Sequence, residues 1–192
     1  MTLLIPHHGG LPMNIIQVQT ITPSIKKGII TVGINAFGKG MTAEEIEQHV
    51  LPMDALYIAY EKEIVGFASA KINEHDIYLA GSAVHKECQR KHIYDHFVAR
   101  RIELVLQMQK SMMTLRTQNP VVDYGVQRCL DGMVRVGAIA GYTFRREHKE
   151  GVYGRSLTDT IPMCRKSEIN EAYEKLNYQR GDAYFLEFTI LH

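Results

Sequence analysis

The stretch from Ile77 to Gln109 constrains this chain most. It opens as an uncharged run, Ile77-Tyr78-Leu79-Ala80-Gly81-Ser82-Ala83-Val84. A run of that kind, aliphatic and β-branched, suits a strand buried on both faces. It breaks into a polar elbow, His85-Lys86-Glu87-Cys88-Gln89-Arg90-Lys91. Beyond the elbow the period changes. Ile93, Phe97, Arg100-Arg101, Leu104 and Met108 recur at helical spacing, and Ile102, Val105 and Leu106 widen the stripe. The stretch reads as buried strand, tight turn and long amphipathic helix.

Such an elbow has a chemical use. A helix N-terminus presents backbone N–H groups without intrahelical partners, and the macrodipole adds partial positive charge there. Arg90 and Lys91 reinforce it. A pyrophosphate-bearing cofactor docks readily on such a feature. An ordinary strand-to-helix connection with a basic, solvated first turn has the same sequence pattern.

The rest of the chain supplies the partners of this unit. Ile15 to Ile21 alternates and is β-branched, which predicts a first strand. Thr22-Pro23 starts a helix that runs to Phe37, where Gly38-Lys39-Gly40 ends it. Thr42 and Glu45 form a capping-box signature for a second helix, closed by Pro52. Ala55–Tyr60 and Ile64–Ile72 flank a polar turn as a hairpin, and Asn73-Glu74-His75-Asp76 makes the next turn.

Met112–Thr117 is a strand that follows a long helix, so it is expected to lie parallel to the Ile77–Val84 strand through a right-handed crossover. Pro120 starts another helix, apolar in period from Val121 to Val136. A short strand at Tyr142–Arg146, a charged loop reaching about residue 165, and a strong closing strand at Ala183–Leu191 complete the chain. The expected fold is α/β. It has a mixed, mostly antiparallel sheet with a central parallel strand pair and helices on both faces, in one domain with a loose tail over residues 1–13. Leu79, Ala83, Phe97 and Leu115 are expected to be buried.

Composition narrows the function classes. The 192 residues suffice for one well-buried domain. A net charge of +1 shows no electrostatic footprint for nucleic acid. Three widely spaced cysteines, Cys88, Cys129 and Cys164, without a CxxC or His–Cys cluster, argue against a disulfide framework or a structural zinc. They fit a reducing, cytoplasmic setting. No run of about twenty apolar residues is present to span a membrane. The N-terminal residues do not read as a signal peptide, and His7-His8 lack a third ligand nearby.

Val84-His85-Lys86-Glu87-Cys88-Gln89-Arg90-Lys91-His92-Ile93-Tyr94 resembles the acetyl-CoA-binding segment of the GNAT N-acetyltransferase superfamily. In that family a strand ending in Val leads to Gln or Arg, two residues, Gly, one residue, then Gly or Ala. Gln89 matches the first position, and Lys91 and Ile93 are usual at the intervening ones. His92 and Tyr94 stand where the family has its glycines. The order of elements extends the resemblance over about Ile15 to Asn119, and Glu63-Ile64-Val65-Gly66-Phe67 looks like the family's third strand.

The resemblance implies an N-acetyltransferase with acetyl-CoA as co-substrate, in which a deprotonated amine of a small molecule or peptide attacks the thioester directly. It implies cofactor binding by Ser82, Ala83 and Val84, by Gln89, Arg90, Lys91, His92, Ile93 and Tyr94, and by Asn119, which stands where the family's cofactor-contacting Asn lies. Asn119 reads equally as a helix N-cap. The strand backbone at Ser82–Val84 would donate to the oxyanion. The family often places a tyrosine acid two turns into the helix after that Asn. The matching region here is Val126-Gln127, and Tyr124 is the nearest tyrosine.

Glu63, His85 and Glu87 are candidate bases, with Glu63 taken first. Ala172-Tyr173-Glu174-Lys175-Leu176-Asn177-Tyr178 is similar to another family phrase, with Tyr173 reading as a helix-face core residue. The first two helices would line an acceptor pocket or cover a sheet edge.

Two other classes stay open: a non-catalytic GNAT-fold binding or regulatory module with His92 and Tyr94 filling the cleft, and an assembly module with an exposed sheet edge. A homodimer stays open as the assembly. If the His92 and Tyr94 side chains tilt outward, restoring glycine at both is expected to loosen the helix by roughly 1 kcal/mol per residue with little change in affinity; if they fill the pyrophosphate space, it is expected to tighten CoA binding.

Overall fold

A computed structural model describes residues 14–151, 158–159 and 166–192. The expected tail over residues 1–13 and much of the loop expected before residue 165 lie outside them. The elements are β1 (Asn14–Gln17), α1 (Pro23–Phe37), α2 (Ala43–His49), β2 (Ala55–Tyr60), β3 (Ile64–Ile72), β4 (Asp76–Val84), α3 (Ile93–Gln107), β5 (Met112–Thr117), α4 (Pro120–Arg135), β6 (Gly141–Lys149), β7 (Thr158–Asp159), α5 (Lys166–Glu174) and β8 (Ala183–Leu191).

The described strands join one sheet in the order β1-β2-β3-β4-β5-β8-β6-β7. Every pairing is antiparallel except β4–β5, the expected parallel pair, with Leu79 opposite Leu115. The closing strand β8 enters between β5 and β6. Helices α1 and α2 cover one face over Leu56, Ile58, Phe67 and Ala83. Helices α3, α4 and α5 cover the other over Tyr57, Ala68, Leu79, Leu115 and Leu186. Leu79, Ala83, Phe97 and Leu115 are all buried, as the pattern predicts.

Strand β4 departs from the reading as a strand buried on both faces. Ala68 pairs with Ser82 and Ala70 with Leu79, so two residues of β3 span three of β4. The extra residue is a bulge at Ala80-Gly81, which bends a strand and increases its twist. It also inverts the side-chain alternation. Ile77 and Leu79 point into the α3–α4 core, whereas Ala83, four residues beyond Leu79, joins the α1–α2 core. Gly81 fits the bend, since a Cβ there would stand 2.9 Å from Cγ2 of Val50 at the end of α2 and would force a shift. Pairing between β4 and β5 stops at Leu79–Leu115, although β5 stays in register with β8 to Thr117. The two central strands therefore splay.

Strand β1 ends at Gln17 rather than at Ile21 because its partner β2 begins at Ala55, and only Val18 N still donates to Leu56 O. Strand β6 runs on through the charged residues to Lys149, since β8 offers a partner along its whole length. Tyr173 lies on α5 and is buried, as expected for a core residue. Arg116 Nη2 donates to Gly151 O and Gly181 O, both at 2.6 Å, which draws together the two ends of the segment that carries α5. No helix among the described residues is long and apolar enough to cross a membrane.

Candidate functional site

The splay creates an edge of backbone groups. His85 N donates to Val65 O at 2.8 Å, so the peptide groups of His85 face β3. By the alternation of an antiparallel ladder, those of Val84 and Ser82 face the opposite side, toward a β5 that is no longer in register. Gln89 Nε2 uses part of this edge, donating to Val84 O at 3.4 Å. The N–H groups of Ser82 and Val84 lie on that side of β4. An open strand edge of this kind accepts an extended, amide-bearing chain as an added strand.

The elbow follows at once. Residues Lys86–Cys88 make a 3-10 turn that buries Cys88, and Lys86 N donates to Asn35 Oδ1 of α1 at 2.9 Å. Arg90 and His92 then take left-handed backbone conformations, with φ of 68° and 59°. Two such residues in quick succession bring the chain round into α3. Thr22, Thr42 and Asn119 each cap their helix with a side-chain oxygen, as the sequence predicts. Helix α3 begins at His92 with no side-chain cap. Its first-turn N–H groups thus receive no hydrogen bond from the cap side chain.

His92 is the helix N-cap, not an interior residue, which corrects the expectation that glycine there would weaken the helix. Its side chain is 60 % exposed, and Nδ1 lies 2.8 Å from Oδ2 of Asp95. Asp95 also pairs with Arg128 of α4, whose guanidinium stands 5.8 Å from the ring centre of Tyr124. Tyr94 turns the other way. Its ring packs on α4, where a Cβ on Gly125 would come within 3.0 Å, and Arg101 lies 5.9 Å from its ring centre. Burial pushes the Tyr94 phenol up to about 12, against the pull of Arg101. Tyr94 is thus part of the α3–α4 contact.

The charges at the mouth are unequal. Lys91 Nζ pairs with Glu61 of the β2–β3 turn at 3.2 Å, and that hydrogen bond raises the ammonium above its ordinary value. Arg90 is exposed. Asn119 is exposed beside the end of β5 and gives its Oδ1 to the cap, accepting from Val121 N at 2.9 Å, which leaves its amide N–H groups. Tyr124 is partly buried on α4. Glu63 and Glu87 are exposed, on the β2–β3 turn and in the elbow, and His85 is partly buried at the end of β4.

The elbow follows β4 and α4 follows β5, so both begin at the same end of the parallel pair. Sequence reasoning missed Glu61, Asn35 and the Asp95–Arg128 pair. An isolated Gly81 inside an apolar strand was the available signal for the bulge, and His92 three residues before Asp95 was the signal for their contact.

No protein-family model matches the chain, and no curated protein matches it. Solved structures do. The chain is similar to the ribosomal-protein-S18-alanine N-acetyltransferase from Escherichia coli, at 11 % identity and a TM-score of 0.58, over 93 % of this chain and 96 % of that one. It is similar to a chain of the NatC complex solved with Gag peptide and CoA, at 14 % identity and a TM-score of 0.58, over 94 % and 100 %. A Bacillus subtilis acetyltransferase in complex with CoA matches at 14 % identity and a TM-score of 0.56, over 94 % and 100 %. Identities this low speak to architecture, and the architecture is unambiguous: the chain has the fold of the GNAT N-acetyltransferase superfamily.

Proposed function

We propose that this chain is an acetyl-CoA-dependent N-acetyltransferase acting on an amine. The observation that carries the reading is the splay of β4 from β5, with the Ser82 and Val84 N–H groups facing the gap and an uncapped α3 at its mouth. The residues present fit a CoA-type group. An amide-bearing arm suits the β4 edge, and phosphates suit the first turn of α3 with Arg90 beside it.

Acetyl-CoA would supply the acyl thioester. The Ser82–Val84 edge holds backbone donors for an oxyanion in fixed positions, so they need no reorganisation as charge develops. Asn119 offers amide donors from the other lip. Tyr124 is the candidate proton donor to a leaving thiolate, and Glu63, ahead of His85 and Glu87, the candidate acceptor of the ammonium proton. Alignment of amine and thioester in the cleft supplies the remaining advantage.

The test is release of CoA thiol from acetyl-CoA in the presence of a panel of primary amines and peptide N-termini. Amine-dependent release supports the reading. Saturable acetyl-CoA binding without release for any amine contradicts turnover. A charge prediction accompanies it. Arg90→Glu is expected to weaken CoA binding about tenfold, and Lys91→Glu less, because Glu61 already faces Lys91. Thermal stability should stay within about 0.5 kcal/mol in both, as for exposed sites generally. Unchanged affinity in Arg90→Glu, measured by calorimetry, would remove the phosphates from this elbow.

A further inference from the structure

The gap between β4 and β5 has a closed end. From Leu79–Leu115 back to Asp76–Met112 the two strands stay paired, so an extended arm on the β4 edge runs from the elbow only as far as the bulge at Ala80-Gly81. With phosphates at the start of α3, the reactive end of the arm comes to rest there. The two faces of the sheet differ at this point. On one, Leu79 and Leu115 are sealed under α3, α4 and α5. Side chains alternate along a strand, so Tyr78, Thr114 and Arg116 belong to the other face. So do Phe185 and Glu187 of β8, since Leu186 and Phe188 lie in the sealed core. Tyr78, Arg116, Phe185 and Glu187 are half-buried there, and Thr114 is buried.

The polar groups of this face are engaged, with one exception. Tyr78 pairs with Lys71 of β3 and Thr114 of β5, one rung before the gap opens. Thr114 gives its hydroxyl to Asp76, Arg116 gives Nη2 to Gly151 O and Gly181 O, and Glu187 pairs with Arg145 at 3.2 Å. The Tyr78 hydroxyl makes no hydrogen bond to a described residue. The hydroxyls of Tyr142, Tyr173 and Tyr184 are all bonded, as those of buried tyrosines usually are. Burial pushes the Tyr78 phenol up, against the pull of the Arg116 charge, so it keeps its proton across the neutral range.

We infer that Tyr78 is a catalytic residue on the acceptor side: its hydroxyl oxygen accepts a hydrogen bond from the attacking amine and aims the nitrogen at the acyl carbon. This rests on the reading of the cleft as an acetyl-CoA site. The amine reaches the end of the arm from the face of Tyr78, because the other is sealed. In the step itself the nitrogen bonds to the acetyl carbon, the carbon–sulfur bond breaks, the sulfur takes a proton and the nitrogen loses one. Tyr78 orients the nitrogen and keeps its own proton, so its effect is one of alignment.

Tyr78→Phe removes the oxygen and keeps the ring, so its melting temperature is expected to match the wild type. With n-butylamine and the dipeptide alanylglycine as probes, kcat/KM for the amine is expected to fall about tenfold, the worth of one hydrogen bond to a reacting group. Acetyl-CoA affinity, measured by calorimetry, is expected to stay unchanged. In the full chain, labelled on its tyrosine rings and saturated with CoA, either amine is expected to shift the resonance that Tyr78→Phe deletes. Absence of amine-dependent release from the wild type, an equal kcat/KM in the two proteins, or an unmoved resonance overturns this inference and leaves the acetyl-CoA site standing. Failure of the wild type to bind acetyl-CoA overturns both.

Discussion

Asp123→Ala is expected to lower the unfolding free energy by about 3–5 kcal/mol, the range for removing one partner of a sealed ion pair. Asp123 is 0 % exposed and Arg146 1 %. Their atoms stand 3.5 Å apart, while Gln127 Nε2 donates to Asp123 Oδ1 at 2.6 Å and the Tyr173 hydroxyl donates to Oδ2 at 3.2 Å. Burial pushes the Asp123 carboxyl above the usual range, and the Gln127 hydrogen bond and the Arg146 charge pull it back. The cluster joins α4, β6 and α5, so the variant loses a buried polar contact between α5 and the core and takes one partner from the Arg146 charge. Tyr173→Phe removes one donor and is expected to cost about 1 kcal/mol. Urea unfolding with unchanged m-values measures both. A loss below about 1 kcal/mol for Asp123→Ala would mean that water reaches the cluster.

Glycine at the two unusual elbow positions is expected to act in opposite directions. Tyr94→Gly strips a ring from the α3–α4 contact and places glycine in a first helical turn, for a loss of about 3–4 kcal/mol. In a chain of this size that corresponds to a melting temperature lower by about 6–16 °C. His92→Gly relieves a left-handed conformation worth about 1–2 kcal/mol and gives up an exposed contact with Asp95 worth about 0–1. It should melt at or slightly above the wild type. Equal losses of about 1 kcal/mol for each, as helix propensity alone suggests, would mean that neither side chain sits as described.

The contrast between these two positions shows what the sequence carried. Hydropathy pattern placed the helix and strands around the splay, Ile77–Val84 and Met112–Thr117 as short strand-like runs and Ile93–Met108 by its helical spacing. Caps were equally plain: Thr22, Thr42 with Glu45, and Asn119 act through atoms within three residues in sequence. What local pattern does not encode is the direction a side chain takes once a second element arrives. Tyr94 and His92 lie two residues apart and read alike, yet Gly125 of α4 receives one and solvent the other. The bulge in β4 was written only as Gly81, and its effect, the reversal that sends Ala83 to the opposite core, needs the register of β3. Strand β6 through Lys149 was hidden for the same reason, since a charged run becomes a strand when β8 supplies the partner.

Calorimetric titration of the wild-type chain with acetyl-CoA tests the account of the cleft most directly. Saturable binding of one molecule per chain is predicted, weakened about tenfold in Arg90→Glu. No saturable heat at millimolar acetyl-CoA would contradict it, and would make the splayed strands a feature of the fold without its cofactor.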